Sequence, residues 1–352
     1  MNLESLLKKV IKEEGSDLHI TVGVPPIIRK NGKLIRLGEK ILTSVETELI
    51  VKGLVSETQM NELSKNGHVD LSFSWDGIGR FRVNVFKQRG ALGAAIRPVN
   101  LSVATIQELG LPPSVSELAR KNKGLILVTG PAGSGKSTTL ASIINQINEE
   151  RDCHILTLED PVEYLHRHKK SIVNQREIGS DVVSYPKALR AALREDPDVI
   201  MIGEMTDADT IFTAITAAET GHLVLSTLHT NGAADAINRI IDIFELHRQH
   251  QIRILLSGVL QGIISQQLLR TTQADGRIAA VEVMVATPEI RGLIRESRMD
   301  ELNLLIQNGD KFGMQSMDSS LLNLYKKELI NQDAVLTHAS SQENAKKILG
   351  YT

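Results

Sequence analysis

One octapeptide constrains this chain more than any other part of it. Gly130-Pro131-Ala132-Gly133-Ser134-Gly135-Lys136-Ser137 stands between the apolar run Leu125-Ile-Leu-Val128 and an amphipathic stretch from Thr138 to Ile147. Buried strand, glycine-rich loop and helix, in that order, are what a phosphate-binding loop requires. Backbone N–H groups can wrap an anion closely where glycines such as Gly130, Gly133 and Gly135 remove the steric cost. Lys136 then supplies a point charge for the β and γ phosphates, and the Ser137 hydroxyl supplies a magnesium ligand. Residues 130–138, Thr138 included, are therefore expected to bind ATP with Mg2+. A merely flexible glycine loop is the alternative, and the flanking strand and helix argue against it.

Beyond Gly124, apolar runs at Leu125 to Thr129, Ile155 to Leu158, Val199 to Ile202 and Leu223 to Thr227 alternate with helical patterns. Such alternation predicts a mostly parallel sheet with helices on both faces. After Ala233 the pattern turns mainly helical, with one strand-like run at Ile278 to Val285. Because the chain has 352 residues and single cores rarely outgrow about 250 to 300, a second domain is expected. Its signs lie upstream: a helix on Leu3, Leu6, Leu7, Val10 and Ile11, a hairpin turning at Asn31-Gly32, and a helix after the capping box Thr43/Glu46. Strand-like runs follow at Val69 to Trp75, Arg80 to Lys87 and Ala91 to Arg97. The expected division is residues 1–98, a connection at 99–122 containing Pro112 and Pro113, and residues 123–352.

Composition narrows the function classes. Forty basic and 42 acidic residues leave a formal charge of -2, and aromatic residues make up 3%, so neither a basic footprint nor a stacking platform for nucleic acid is expected. Cys153 is the single cysteine, which excludes a disulfide framework within one chain and suits a reducing compartment. The first residues lack a basic segment followed by an apolar run, and no stretch approaches the ~18 apolar residues of a membrane span. A cytoplasmic location is expected.

Three further clusters lie at predicted strand ends, where open α/β folds bind ligands. Glu159-Asp160-Pro161-Val162-Glu163 carries three carboxylates, one of which could act as a base; a solvated acidic loop is the other reading. Asp198-Val-Ile-Met-Ile202 leads into Gly203-Glu204, the Walker B place, with Gly203 where an Asp usually stands. Glu204 alone must then serve magnesium, its bound water or the attacking water. The fourth run begins at His222 and ends at Ser226-Thr-Leu-His229-Thr230, placing a histidine beside the phosphate loop as a candidate γ-phosphate sensor. Upstream, Arg80, Arg82, Arg89 and Arg97 crowd neighbouring strands, either as a solvated face or as arginines that stabilise transition-state charge.

Taken in order, these residues resemble the secretion ATPases of the PilT group, the type IV pilus retraction motors. The likeness begins at Ser16-Asp-Leu-His-Ile20 and Arg80-Phe-Arg-Val-Asn-Val-Phe86. Past the phosphate loop it continues through Ile155 to Tyr164, Asn174-Gln-Arg-Glu-Ile-Gly179, Ala191 to Asp198, Gly203-Glu204-Met205 and Ser226 to Thr230. The resemblance implies an α/β chain with a PAS-like α+β N-terminal domain, then a RecA-like P-loop ATPase domain with a helical C-terminal region. It also implies a homo-hexamer acting on pilin indirectly, through a platform protein of the inner membrane, with ATP bound between the domains and near a neighbouring chain. Residue by residue, it implies that Glu163 activates water, Glu204 acts near magnesium, and His222 and His229 couple phosphate state to motion. Arg82 and Arg97, and less directly Arg80, are implied to meet the nucleotide. Pro288 to Glu296 is similar to the Ala-Ile-Arg signature of retraction motors, with Glu289 in place of alanine, and Thr206 stands where the family commonly has arginine. A pilus assembly motor and a low-turnover regulatory module are the competing readings.

Overall fold

Asn31-Gly32 turns the chain as its side chains allow: φ is 50° at Asn31 and 77° at Gly32, and Lys30 faces Lys33 across the turn. The computed structural model describes residues 3–99, 102–273 and 276–350. Residues 100 and 101 of the expected connection, and the first two residues read for a leader, lie outside those described. Two compact units are present, Met1–Ser102 with Glu163–Leu165, and Val103–Val162 with His166–Thr352.

The first unit runs α1 (Leu3–Lys12), β1 (Asp17–Ile20), β2 (Ile27–Lys30), β3 (Lys33–Arg36), α2 (Ser44–Lys52), α3 (Glu57–Asn66), β4 (His68–Trp75), β5 (Gly79–Gln88) and β6 (Ala91–Pro98). Its antiparallel sheet has the order β3-β2-β1-β6-β5-β4. Leu6, Leu7 and Val10 of α1 pack with Phe81, Val83 and Val85 of β5 and with Ile96 of β6. Thr43 caps α2 in the expected box with Glu46, and Ser56 with Gln59 makes a second box for α3. Neither β1 nor α3 was foreseen as an element.

The second unit runs α4 (Pro113–Ala119), β7 (Gly124–Thr129), α5 (Lys136–Glu150), β8 (His154–Glu159), β9 (Ile172–Glu177), α6 (Tyr185–Ala192), β10 (Val199–Ile202), α7 (Ala208–Glu219), β11 (Leu223–Leu228), α8 (Ala233–Asp242), α9 (Leu246–Val259), β12 (Leu260–Arg270) and β13 (Arg277–Val285). Helices α10 (Pro288–Glu296), α11 (Leu302–Gln307), α12 (Met317–Lys326), α13 (Gln332–His338) and α14 (Gln342–Leu349) complete it. The sheet order is β13-β12-β7-β11-β10-β8-β9, parallel from β12 through β9, with β13 antiparallel at one edge. Leu125 and Leu127 of β7 join the core beneath α7, α8 and α9, while Ile126 and Val128 join the core beneath α4 and α5. Every residue of β7 and β11 is buried, as a parallel sheet covered on both faces requires.

Two expectations are corrected here. Residues 260–270, read as part of a helical region, form β12, an 11-residue strand beside β7. Ile263, Ile264 and Leu269 are all buried, and a run buried on both faces shows no period that separates strand from helix. From Val103 onward the expected connection belongs to the second unit, where α4 sets Val115, Leu118 and Ala119 into the core.

Candidate active site

The phosphate loop leaves β7 at Thr129, at the edge where β8, β10 and β11 also end. Gly130, Gly133 and Gly135 have φ of 145°, 75° and 90°, values that favour glycine. Two of them also lack room for a side chain. A Cβ at Gly130 would lie 2.2 Å from the Gln266 carbonyl oxygen and 2.6 Å from Ser134 Oγ, and one at Gly135 would lie 2.8 Å from Gln266 Nε2. Gly135 precedes α5 without any side-chain cap, so the first N–H groups of that helix are available to an anion. Lys136 is 8% exposed, and its Nζ donates to the carbonyls of Gly130 (2.9 Å) and Pro131 (3.0 Å). Pro131, Ala132, Gly133 and Ser137 are exposed and Thr138 half-buried. Ser134 Oγ is buried with no hydrogen-bond partner. A glycine cradle closed to side chains, with a lysine lying across it, fits a chain of phosphates.

Beside the loop, Lys136 Nζ lies 3.4 Å from His229 Nδ1, and His229 Nε2 lies 3.5 Å from Glu204 Oε1. One imidazole thus stands between the loop lysine and the carboxylate that follows β10. Hydroxyls of β11 fix that carboxylate's backbone: Ser226 Oγ donates to the Ile202 carbonyl (2.8 Å) and Thr227 Oγ1 to that of Gly203 (2.6 Å). Among the described residues no cluster of three or more His, Cys, Asp or Glu could hold a metal by itself. The exposed Ser137 hydroxyl and the Glu204 carboxylate instead fit magnesium, which keeps waters and takes one or two protein ligands together with phosphate oxygens.

Gly203 has a steric reason. A Cβ there would meet Tyr185 Oη at 2.7 Å and the Leu158 carbonyl at 3.4 Å, so the aspartate usual at this place would displace the tyrosine. Burial first, then the charges of Asp160, Glu159 and Glu204, push the Tyr185 phenol well above its ordinary pKa and keep it a proton donor.

The three carboxylates at and beyond the end of β8 separate into different surroundings. Glu159 is buried and accepts from Thr157 Oγ1 (2.6 Å) and Gln175 Nε2 (3.0 Å). Asp160 is exposed. Glu163 belongs to the first unit, where its carboxylate lies 3.8 Å from Arg82 Nη2. Arg82 and Arg97 are direct cross-strand partners on β5 and β6. Like charges so placed repel, and each has an acidic neighbour: Glu163 for Arg82, and Asp17, at 2.7 Å, for Arg97. Burial pushes the Asp17 carboxyl up, but the Arg97 and Ser16 hydrogen bonds together with the Arg97 and His19 charges hold it below the usual carboxylate range. Arg82, Arg97 and Glu163 line a cavity of about 150 Å³ within this unit, whereas Arg80 donates to Ser74 Oγ at 3.3 Å.

His222 is not brought to the phosphate loop. It precedes β11, Gly124 N–H donates to its carbonyl, and its Nδ1 lies 2.9 Å from the Ala217 carbonyl. His222 and His229 stand at opposite ends of β11, roughly 20 Å apart along the strand. Within one chain, His229 lies beside the phosphate loop and His222 does not.

Residues 2–321 match the Type II/IV secretion system protein family. The chain belongs to that family. It is 42% identical to the type IV pilus retraction ATPase PilT of Pseudomonas aeruginosa over 98% of this chain and 100% of that one. It is 40% identical to the type IV pilus ATPase PilU of the same organism, over 99% of this chain and 91% of the relative. Among solved structures it is similar to the pilus retraction motor PilT with bound ADP, at TM-score 0.89 and 46% identity over 99% of each chain. The mixed α/β architecture is that of this secretion-ATPase family, with a RecA-like second unit.

Two residues of this family member's site escape a reading of its sequence. Tyr185 opens α6, eight residues past the end of β9, and nothing local marks it as facing Gly203. Gln266 carries a weak signal: Ser265-Gln-Gln267 is a polar interruption in an apolar run, and buried polar side chains need a partner.

Proposed function

We propose that this chain is the subunit of an ATPase motor that couples ATP hydrolysis to retraction of a type IV pilus. The arrangement of Lys136, His229 and Glu204 at the phosphate loop carries the reading, together with full-length similarity to a pilus retraction ATPase. Residues 130–138 bind the triphosphate, with Lys136 charged against the β and γ oxygens. Magnesium, held by Ser137 and Glu204 with phosphate oxygens and water, would supply charge neutralisation on the transferring group. Glu163 takes the proton of the attacking water as its oxygen bonds to the γ phosphorus and the bond to the ADP oxygen breaks. His229, between Lys136 and Glu204, senses whether the γ phosphate is present. Arg82 and Arg97 stabilise negative charge on the nucleotide as subunits assemble.

In this reading residues 1–98 form a PAS-like domain, residues 123–352 the ATPase domain, and six copies form a ring. The ring works at the cytoplasmic face of the inner membrane, reaching pilin through a platform protein. No described helix is long and apolar enough to cross a membrane. Deleting the gene and imaging surface filaments tests direction: excess non-retracting pili support the reading, and loss of pili identifies an assembly motor instead. Titrating magnesium with Glu163→Gln and Glu204→Gln tests the roles of the carboxylates. Glu163→Gln should bind nucleotide and hydrolyse it very slowly, and Glu204→Gln should also shift the magnesium dependence; the reverse pattern exchanges the roles.

A further inference from the structure

We propose that Gln266 is a positioning residue that sets the phosphate loop in its anion-binding conformation, an inference that rests on the ATP-binding reading above. Gln266 is 4% exposed. Its Nε2 donates to the Ser134 carbonyl at 2.7 Å, and its Oε1 accepts from Thr139 Oγ1 at 2.7 Å, both in buried surroundings. One amide therefore ties the middle of the loop to the first turn of α5. Thr139, 1% exposed, also donates its N–H to the Gly135 carbonyl.

The consequence follows from peptide geometry. In a planar trans peptide the C=O and the following N–H point in opposite directions. Holding the Ser134 carbonyl inward, on Gln266, turns the Gly135 N–H outward, as an anion requires. The strand that carries Gln266 is itself braced. Ser265 pairs with Thr129 at the end of β7, and their hydroxyls are 2.6 Å apart. The backbone carbonyl of Gln266 is also the atom that leaves Gly130 no room for a Cβ. Gln266 thus meets the loop at Gly130, Ser134 and Gly135, and its side-chain amide both donates to Ser134 and accepts from Thr139. Glutamate keeps the acceptor and loses the donor; methionine loses both.

A loop ordered before the ligand arrives spends none of the binding energy on ordering itself. Losing that order weakens binding of substrate and transition state alike, which raises KM and leaves kcat nearly unchanged. A residue serving only the stability of the core would lower the thermal midpoint without changing affinity per folded molecule.

Magnesium ADP titrated calorimetrically into the full chain, with steady-state ATP hydrolysis in parallel, tests this. Gln266→Met is expected to raise the ADP Kd and the ATP KM about tenfold, the equivalent of losing the one buried hydrogen bond that reaches the loop carbonyl, with kcat within about threefold of the parent. Gln266→Glu, of the same size as glutamine, should weaken ADP at least as much. If Gln266→Met folds poorly, adding Thr139→Val removes the orphaned hydroxyl, and this double variant should show the same rise in Kd. An ADP Kd within twofold of the parent in folded Gln266→Met, or in the double variant, overturns the proposal while leaving ATP binding intact. Failure of the parent chain to bind ADP overturns both.

Discussion

Gly203 shows how a single residue departs from a motif for a local reason. Tyr185 Oη lies 2.7 Å from where a Cβ would stand, and overpacking of this kind costs roughly 1–3 kcal/mol. Gly203→Ala should lower stability by that order in chemical denaturation, and Tyr185→Phe, which removes the obstructing oxygen, should recover at least half in the double variant. Simple addition of the two penalties would show that the contact is not what excludes a side chain. His166 behaves differently because its environment acts on charge. Burial first, then the nearby Lys169 charge, pushes its imidazole down to about 4 from 6.5, and its Nδ1 is buried without a hydrogen-bond partner. The unfolded chain binds this proton from pH 6.5 downward and the folded chain only near 4. Stability from this group is therefore complete above 6.5 and is lost as pH falls from 6.5 to 4, by on the order of 3 kcal/mol. A denaturation series across that window should show a shallower slope in His166→Leu than in the parent, and equal slopes would contradict the assignment.

At the scale of elements, Arg291 joins two helices end to side. Its guanidinium donates to the carbonyls of Ser257 (2.6 Å), Gly258 (2.9 Å) and Ala286 (3.1 Å), closing the end of α9 from within α10. Arg291→Met leaves those carbonyls without this donor and should cost about 2–3 kcal/mol. A shift in stability below half of that would mean that water replaces the guanidinium. Glu289, the acidic departure two residues earlier, sits exposed in the first turn of α10 beside the Thr287 cap, where a negative charge suits the helix end. Elements with strong local signals were legible: the Asn31-Gly32 hairpin, the capping box of α2, and β7, loop and α5 around the glycines. β12 was not, because a strand buried on both faces has no period, and its partner β7 is over 100 residues away. The site followed the same division. Lys136 was marked by the glycine-rich motif, and Glu204 and His229 by their places at the ends of runs, whereas His222, legible as the start of the same run, stands at the other end of β11. Tyr185 and Gln266 reach the site only through long-range packing.

For the whole molecule, the proposed ring adds subunit contacts to a site that one chain begins. Specific activity should therefore rise with protein concentration over the range in which sizing shows monomer converting to hexamer, and a flat profile across that range would argue for a site complete in one chain. In the proposed motor, residues 130–138 hold the phosphates of the nucleotide that the chain hydrolyses. Phosphate release at saturating magnesium ATP, compared between the parent and a folded Lys136→Ala ring, tests it most directly. Removing the charge aimed at the transferring phosphoryl group should lower kcat by on the order of a hundredfold or more, and near-parental turnover in the folded variant would contradict the account.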